Sequence, residues 1–216
     1  YRFPIVKIDK AVLGLKGQKT VRVGMYVPKP VKPRPGFPIR PRRGFNPQLK
    51  EGTEYLLYLQ PHHKEKFYQA RGYDNIVQVT GNATASTEIA KVARYSGLLE
   101  NPLKSLRSKY AKERCATAAI LVYRYRMTPV YGKRVEKPIT KEESELILKA
   151  LLEAEWPTKP ARFGTLTPLN VFNMLNIQKA DGFQRPRNFR EWPAAAKAWL
   201  SKNWKSYRIK KVVAGS

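Results

Sequence analysis

Residues 75–95 read NIVQVTGNATASTEIAKVARY, and the spacing of apolar residues changes inside them. Asn75–Thr80 is a short β-branched run, and Gly81-Asn82-Ala83-Thr84 ends it as a turn. From Ser86 the period becomes helical, with Ser86 placed to cap TEIAKVARY. This switch predicts an α+β chain, with a β domain over 1–85 and a helical domain over 86–216.

Toward the N-terminus, strands are expected throughout. Ile5-Val6-Lys7-Ile8 opens one strand, which runs to Val12-Leu13, and Lys16-Gly17-Gln18-Lys19 is a turn. Thr20-Val21-Arg22-Val23 alternates with period two, so the two segments form a hairpin extending to Val27. TEYLLYL, Thr53–Leu59, reads as a buried strand, and Phe67-Tyr68 as a further one. Toward the C-terminus, Asn101-Pro102 is a cap followed by proline in the first turn, opening a helix expected to reach about Arg124. Leu103, Leu106, Tyr110, Ala118, Leu121 and Val122 are its predicted inward face. Thr140–Glu143 is a capping box ahead of SELILKALLEAEW, with Ile147, Leu148, Leu151 and Leu152 as an apolar stripe and Pro157 as the stop. Thr167-Pro168 caps a short helix, Asp181-Gly182 turns, and Trp192-Pro193 opens the last helix, with Ala196, Trp199, Leu200 and Trp204 inward.

Between the strands lies VPKPVKPRPGFPIRPRRGFNP, residues 27–47. Proline lacks the N–H donor and clashes with a preceding helical turn, so this insertion at 28–47 is neither helix nor central strand. An extended, polyproline-like arm is expected. Between Lys10 and Lys50 there are eleven Lys and Arg and no acid. The whole 216-residue chain carries a formal charge of +26, which calls for an anionic partner. Predicted partner-binding residues are Lys29, Lys32, Arg34, Phe37, Arg40, Arg42, Arg43 and Phe45 on the arm. Lys202, Lys205, Arg208, Lys210 and Lys211 form a second set near the C-terminus, where no acid follows Glu191. Arginine pairs bidentately with carboxylate or phosphate, and stiff prolines lower the entropy lost when an extended segment docks.

No catalytic constellation stands out. Cys115, the single cysteine, excludes an internal disulfide, has no positioned histidine beside it, and reads as a small buried helix residue. His62-His63 lacks a second ligand cluster and reads as a solvated loop pair, so neither a metal nor a cofactor is expected. Glu142, Glu143, Glu145, Glu153 and Glu155 fit helix electrostatics better than acid–base chemistry, and they form an acidic patch able to meet a basic neighbour. The longest apolar run, Cys115–Tyr123, is about half of what spans a bilayer.

The order KIDKAVLGLKG, VRVGMYV, a Pro-rich insert and LKEGTEYLLYL resembles the netrin-like, or tissue-inhibitor-like, OB-fold module of exported bacterial proteins. Gly52, Tyr55, Leu56 and Leu59 carry the strongest local match. The resemblance implies a small OB-like β-barrel followed by an α-helical region. Animal inhibitors of this class grip a protease metal through an N-terminal cysteine, whereas this chain opens Tyr1-Arg2-Phe3, so that activity does not carry over. Tyr1 in place of Met points to a removed leader and an extracytoplasmic location, periplasmic or secreted. The leading expectation is a non-catalytic binding or scaffold protein of the cell envelope, docked on an acidic protein assembly or anionic polymer. The alternative is a cytoplasmic nucleic-acid-binding protein using the barrel and the arm.

Overall fold

The computed structural model describes residues 3–11, 14–15, 17–25, 49–62, 64–70, 75–127, 133–157 and 167–215. The proline-rich insertion at 28–47 lies outside them. The chain forms two compact units, Tyr1–Ser96 and Gly97–Ser216.

In the first unit, β1 (Ile5–Lys7) pairs antiparallel with β2 (Thr20–Gly24), aligning Ile5 with Arg22 and Lys7 with Thr20. Alternation along β2 buries Val21 and Val23 while Thr20 and Arg22 face water, as its period-two pattern requires. β3 (Tyr55–Leu57) pairs antiparallel with β6 (Ile76–Gln78). β4 (Gln60–Pro61) and β5 (Tyr68–Gln69) are two-residue strands, paired antiparallel with each other. β5 also runs parallel to β2, which gives the order β1-β2-β5-β4. Gly24 sits where a Cβ would lie 2.3 Å from the Phe67 ring, so this close approach requires glycine. A small core of Val21, Val23 and Met25 is backed by Val6, Leu57, Tyr68 and Ile76.

The expected OB-like barrel is contradicted. The fold is α+β, but among the described residues its small sheets do not close. Closure needs one continuous ladder with matched tilt and stagger. Here β3 and β6 pair only with each other among the described strands, and strands of two to five residues give little ladder to carry around a barrel. The TEYLLYL strand is half-buried rather than buried.

α1 (Ala85–Glu100) begins one residue before the expected cap. Asn82 is the local organiser: its Oδ1 accepts from the Thr84 N–H (3.0 Å) and hydroxyl (2.9 Å).

In the second unit, Asn101 caps α2 (Pro102–Leu106), its Oδ1 accepting from the Lys104 N–H at 3.1 Å. The single long helix expected here is two. After Leu106 the chain breaks and α3 runs from Ala111 to Arg126. Ser108 holds the break: its hydroxyl accepts from the Tyr110 N–H (3.2 Å) and donates to Glu113 (2.5 Å). The Arg114 guanidinium donates to the freed carbonyls of Ser108 (2.8 Å) and Lys109 (3.2 Å). Tyr110, expected inward, is 57% exposed.

α4 (Lys141–Leu152) starts at Thr140, whose Oγ1 accepts from the Glu143 N–H at 3.3 Å. Its stripe of Ile147, Leu148 and Leu151 is fully buried, and it ends five residues before Pro157. Thr167 caps α5 (Pro168–Met174), and α6 (Trp192–Asn203) buries Ala196, Trp199 and Leu200 as expected.

The region read as helical also contains a sheet. β7 (Lys133–Pro138) and β8 (Lys210–Gly215) pair antiparallel over six positions. One contact ties this ribbon to α4, and a second extends its own ladder by one step. The Ile209 N–H donates to the buried Ser144 Oγ (3.2 Å), and the Ile139 N–H donates to the Ile209 carbonyl (2.9 Å). One core joins α2 to α6 around Phe172, Leu148, Val122 and Leu200.

Candidate polyanion interface

The arm residues Lys29, Lys32, Arg34, Phe37, Arg40, Arg42, Arg43 and Phe45 lie outside the described residues. The C-terminal set divides. Arg208 is structural: its Nε and Nη2 donate to the Ile139 carbonyl at 3.2 and 2.7 Å, closing the entry to the ribbon. Lys202 is exposed near the end of α6, and Lys205 lies past it with Nζ 5.1 Å from the Trp204 ring centroid. Lys210 and Lys211 belong to β8.

The ribbon gives those lysines partners that the sequence did not reveal. Opposed residues of an antiparallel pair share a face. One face therefore carries Arg134, Glu136, Pro138, Lys210, Val212 and Ala214. On this face only Val212 is buried, while Arg134, Glu136, Pro138, Lys210 and Ala214 are exposed; Glu136 is bridged at 2.7 Å by Arg126 of α3. The opposite face presents Lys133, Lys137 and Lys211 around the half-buried Val135 and Val213. Lys137 stands directly across from Lys211, a like-charge pair that works against the ladder.

The acids are spent elsewhere. Glu142 bridges Arg107, Glu153 bridges Arg114 at 2.9 Å and Lys149 at 3.8 Å, and Glu145 pairs with Lys141 at 3.8 Å. Glu143 does not complete the capping box but accepts from the Tyr125 hydroxyl at 2.5 Å. Burial and that carboxylate push the Tyr125 phenol well above its ordinary range. The acidic patch on α4 is thus largely engaged by the chain's own cations and phenol. A cleft of about 340 Å³ opens between Leu106, Arg114, Leu146 and Lys149, and Arg114 and Lys149 there are bridged by Glu153.

A second basic surface went unread in the sequence, although QRPRNFREW (184–192) spells it out. Phe189 is 58% exposed and leans on Trp192 at 4.9 Å. The Arg185 guanidinium covers the Trp192 ring at 4.6 Å, while Arg187 and Arg190 are exposed beside it.

Other candidates have structural roles. His62 is half-buried, not solvated: it stacks on Phe67 at 4.4 Å, and its Nδ1 accepts from the Glu65 N–H at 3.0 Å. His63 lies outside the described residues. Burial pushes the Cys115 thiol up, disfavouring the thiolate. Among the described residues, no three His, Cys, Asp or Glu side chains are grouped to hold a metal, and no helix is long and apolar enough to cross a membrane.

The Tyr207 phenol is pushed up to about 12, first by burial and then by Asp181. Its folded value exceeds the ordinary 10.0 of the unfolded chain, so its contribution to stability is full below pH 10 and is lost as pH rises through about 12. Wild type should therefore lose stability relative to Tyr207→Phe between pH 10 and 12, and not below. Denaturant titrations of both proteins at each pH check this.

No protein-family model matches the chain, and neither a curated protein nor a solved structure matches it.

Proposed function

We propose that this is a non-catalytic, strongly basic docking protein that attaches to an acidic protein assembly or an anionic polymer. One observation carries the reading: the carboxylates of α4 are bonded within the chain, while Lys133, Lys137 and Lys211 share one face of the ribbon with no acid opposite. The net charge of +26 leaves most cations without an internal counter-charge, and six of those cations lie on the arm. An extracytoplasmic location belongs to this proposal. It is supported by the order of motifs shared with exported netrin-like proteins and is tested by fractionation.

The opposed lysines give a test in which folding and binding move in opposite directions. Lys137→Glu turns a repulsive cross-strand pair into an attractive one, worth about 0.2–1 kcal/mol. The melting temperature should rise by about 1–3 °C, while affinity for polyphosphate or poly-glutamate falls severalfold. Unchanged affinity alongside a raised melting temperature would remove the ribbon from the interface.

A further inference from the structure

The segment Arg185–Trp192 is built more specifically than a solvated basic loop. Asn188 fixes its turn: Oδ1 accepts from the Arg190 N–H at 3.1 Å, and Nδ2 donates to Glu191 at 3.3 Å, occupying its one acid. The Trp192 indole N–H donates to the Pro186 carbonyl at 2.9 Å, locking the ring at the start of α6. Arg185 lies over that ring, and Phe189 packs against it at 51°. What remains open is the Phe189 ring, which has no polar atom and shares the Trp192 ring with Arg185, while Arg187 and Arg190 are exposed within two residues of it in the chain.

Charge alone does not account for this arrangement. An acidic peptide or polyphosphate is satisfied by the arginines and gains nothing from a bare ring held in place. A chain that alternates planar rings with anionic groups uses both features. The rings must also have a free face, which bases inside a duplex lack. We infer that Phe189, with Arg185, Arg187 and Arg190, forms a stacking platform for single-stranded nucleic acid: a base lies on Phe189 and the flanking phosphates meet the guanidinium groups. This rests on the polyanion-binding reading above but not on the location given there. Base–aromatic stacking tolerates any base, so binding without sequence preference is expected.

The test titrates the full chain with labelled oligo-dT, the matching duplex, polyphosphate and poly-glutamate at one ionic strength. Phe189→Ala and Phe189→Leu should each weaken oligo-dT about tenfold. Both should leave polyphosphate within twofold, and Phe189→Trp should restore oligo-dT. Melting curves identify any variant that fails to fold; Phe189→Leu keeps apolar bulk while removing the ring, so it decides the question if Phe189→Ala unfolds. Oligo-dT binding unchanged in Phe189→Leu overturns the platform, as does equal weakening of polyphosphate, or poly-glutamate or duplex binding as tightly as single strand. Polyphosphate or poly-glutamate binding with Phe189 silent defeats this inference alone. Failure of wild type to bind any of the four defeats the polyanion reading as well.

Discussion

Phe172→Ala should lower stability by about 3–5 kcal/mol, the largest loss expected from one substitution in this protein. Phe172 is 1% exposed at the centre of the second unit's core. Its ring meets Phe183 edge-on at 5.0 Å and Trp199 at 5.7 Å. Trp199 in turn packs edge-on against Tyr207 at 5.0 Å and is pinned by its indole N–H to the Asp181 carbonyl at 2.9 Å. The neighbours therefore cannot collapse into the space without breaking a hydrogen bond or tilting a stacked ring, and the cavity stays open. Removing the ring forfeits both the transfer free energy and the aromatic contacts. Equilibrium unfolding in denaturant measures the loss. A cost below about 1 kcal/mol would mean that α5 and α6 do not pack as described. Phe172→Leu, which keeps most of the volume, should cost much less.

The same core shows where sequence reading succeeds. Ile147, Leu148 and Leu151 were legible because they recur at helical spacing, and Thr140 and Thr167 because a hydroxyl before an apolar run accepts a first-turn N–H. Val21 and Val23 were legible because alternation has one meaning in a half-buried strand. Other features needed contacts that local pattern does not encode. The break at Ser108 depends on a hydroxyl, a carboxylate and a guanidinium meeting in space. β7 and β8 are separated by more than seventy residues, and lysines interrupt the valines on one shared face, so neither strand announces itself. The barrel expectation failed at a similar step: short strands were recognised, but which edge each one pairs with is settled by tertiary packing.

The interface was legible as charge and not as geometry. Arg208 and Lys211 look alike in sequence, yet Arg208 is bonded to the Ile139 carbonyl while Lys211 faces Lys137. Charge counting cannot separate a guanidinium satisfying the backbone from an ammonium awaiting a partner. The Arg185–Trp192 segment is the reverse case. All its residues stand in order in the sequence, but only the Trp192–Pro186 hydrogen bond and the Arg185 contact gather them into one surface.

Salt should weaken binding to a single-stranded phosphate polymer steeply. Lys133, Lys137, Lys202, Lys205, Lys210 and Lys211 form no ion pair among the described residues. Each phosphate neutralised on a single strand releases condensed counterions and contributes about 0.7 to the log–log slope. If all six engage, the slope is about −4, and affinity falls about 300-fold between 50 and 200 mM salt. Lys137→Ala should make the slope shallower by about 0.7, because one contact disappears. Arg208→Ala should alter melting temperature more than slope, since that guanidinium is bonded to the backbone carbonyl of Ile139. Binding isotherms at four salt concentrations give the slope directly. A slope near zero would mean that the cations keep the protein dispersed and that whatever binds it is held by apolar contact. A steep slope unchanged by Lys137→Ala would move the contacts from the ribbon to other cations of the chain.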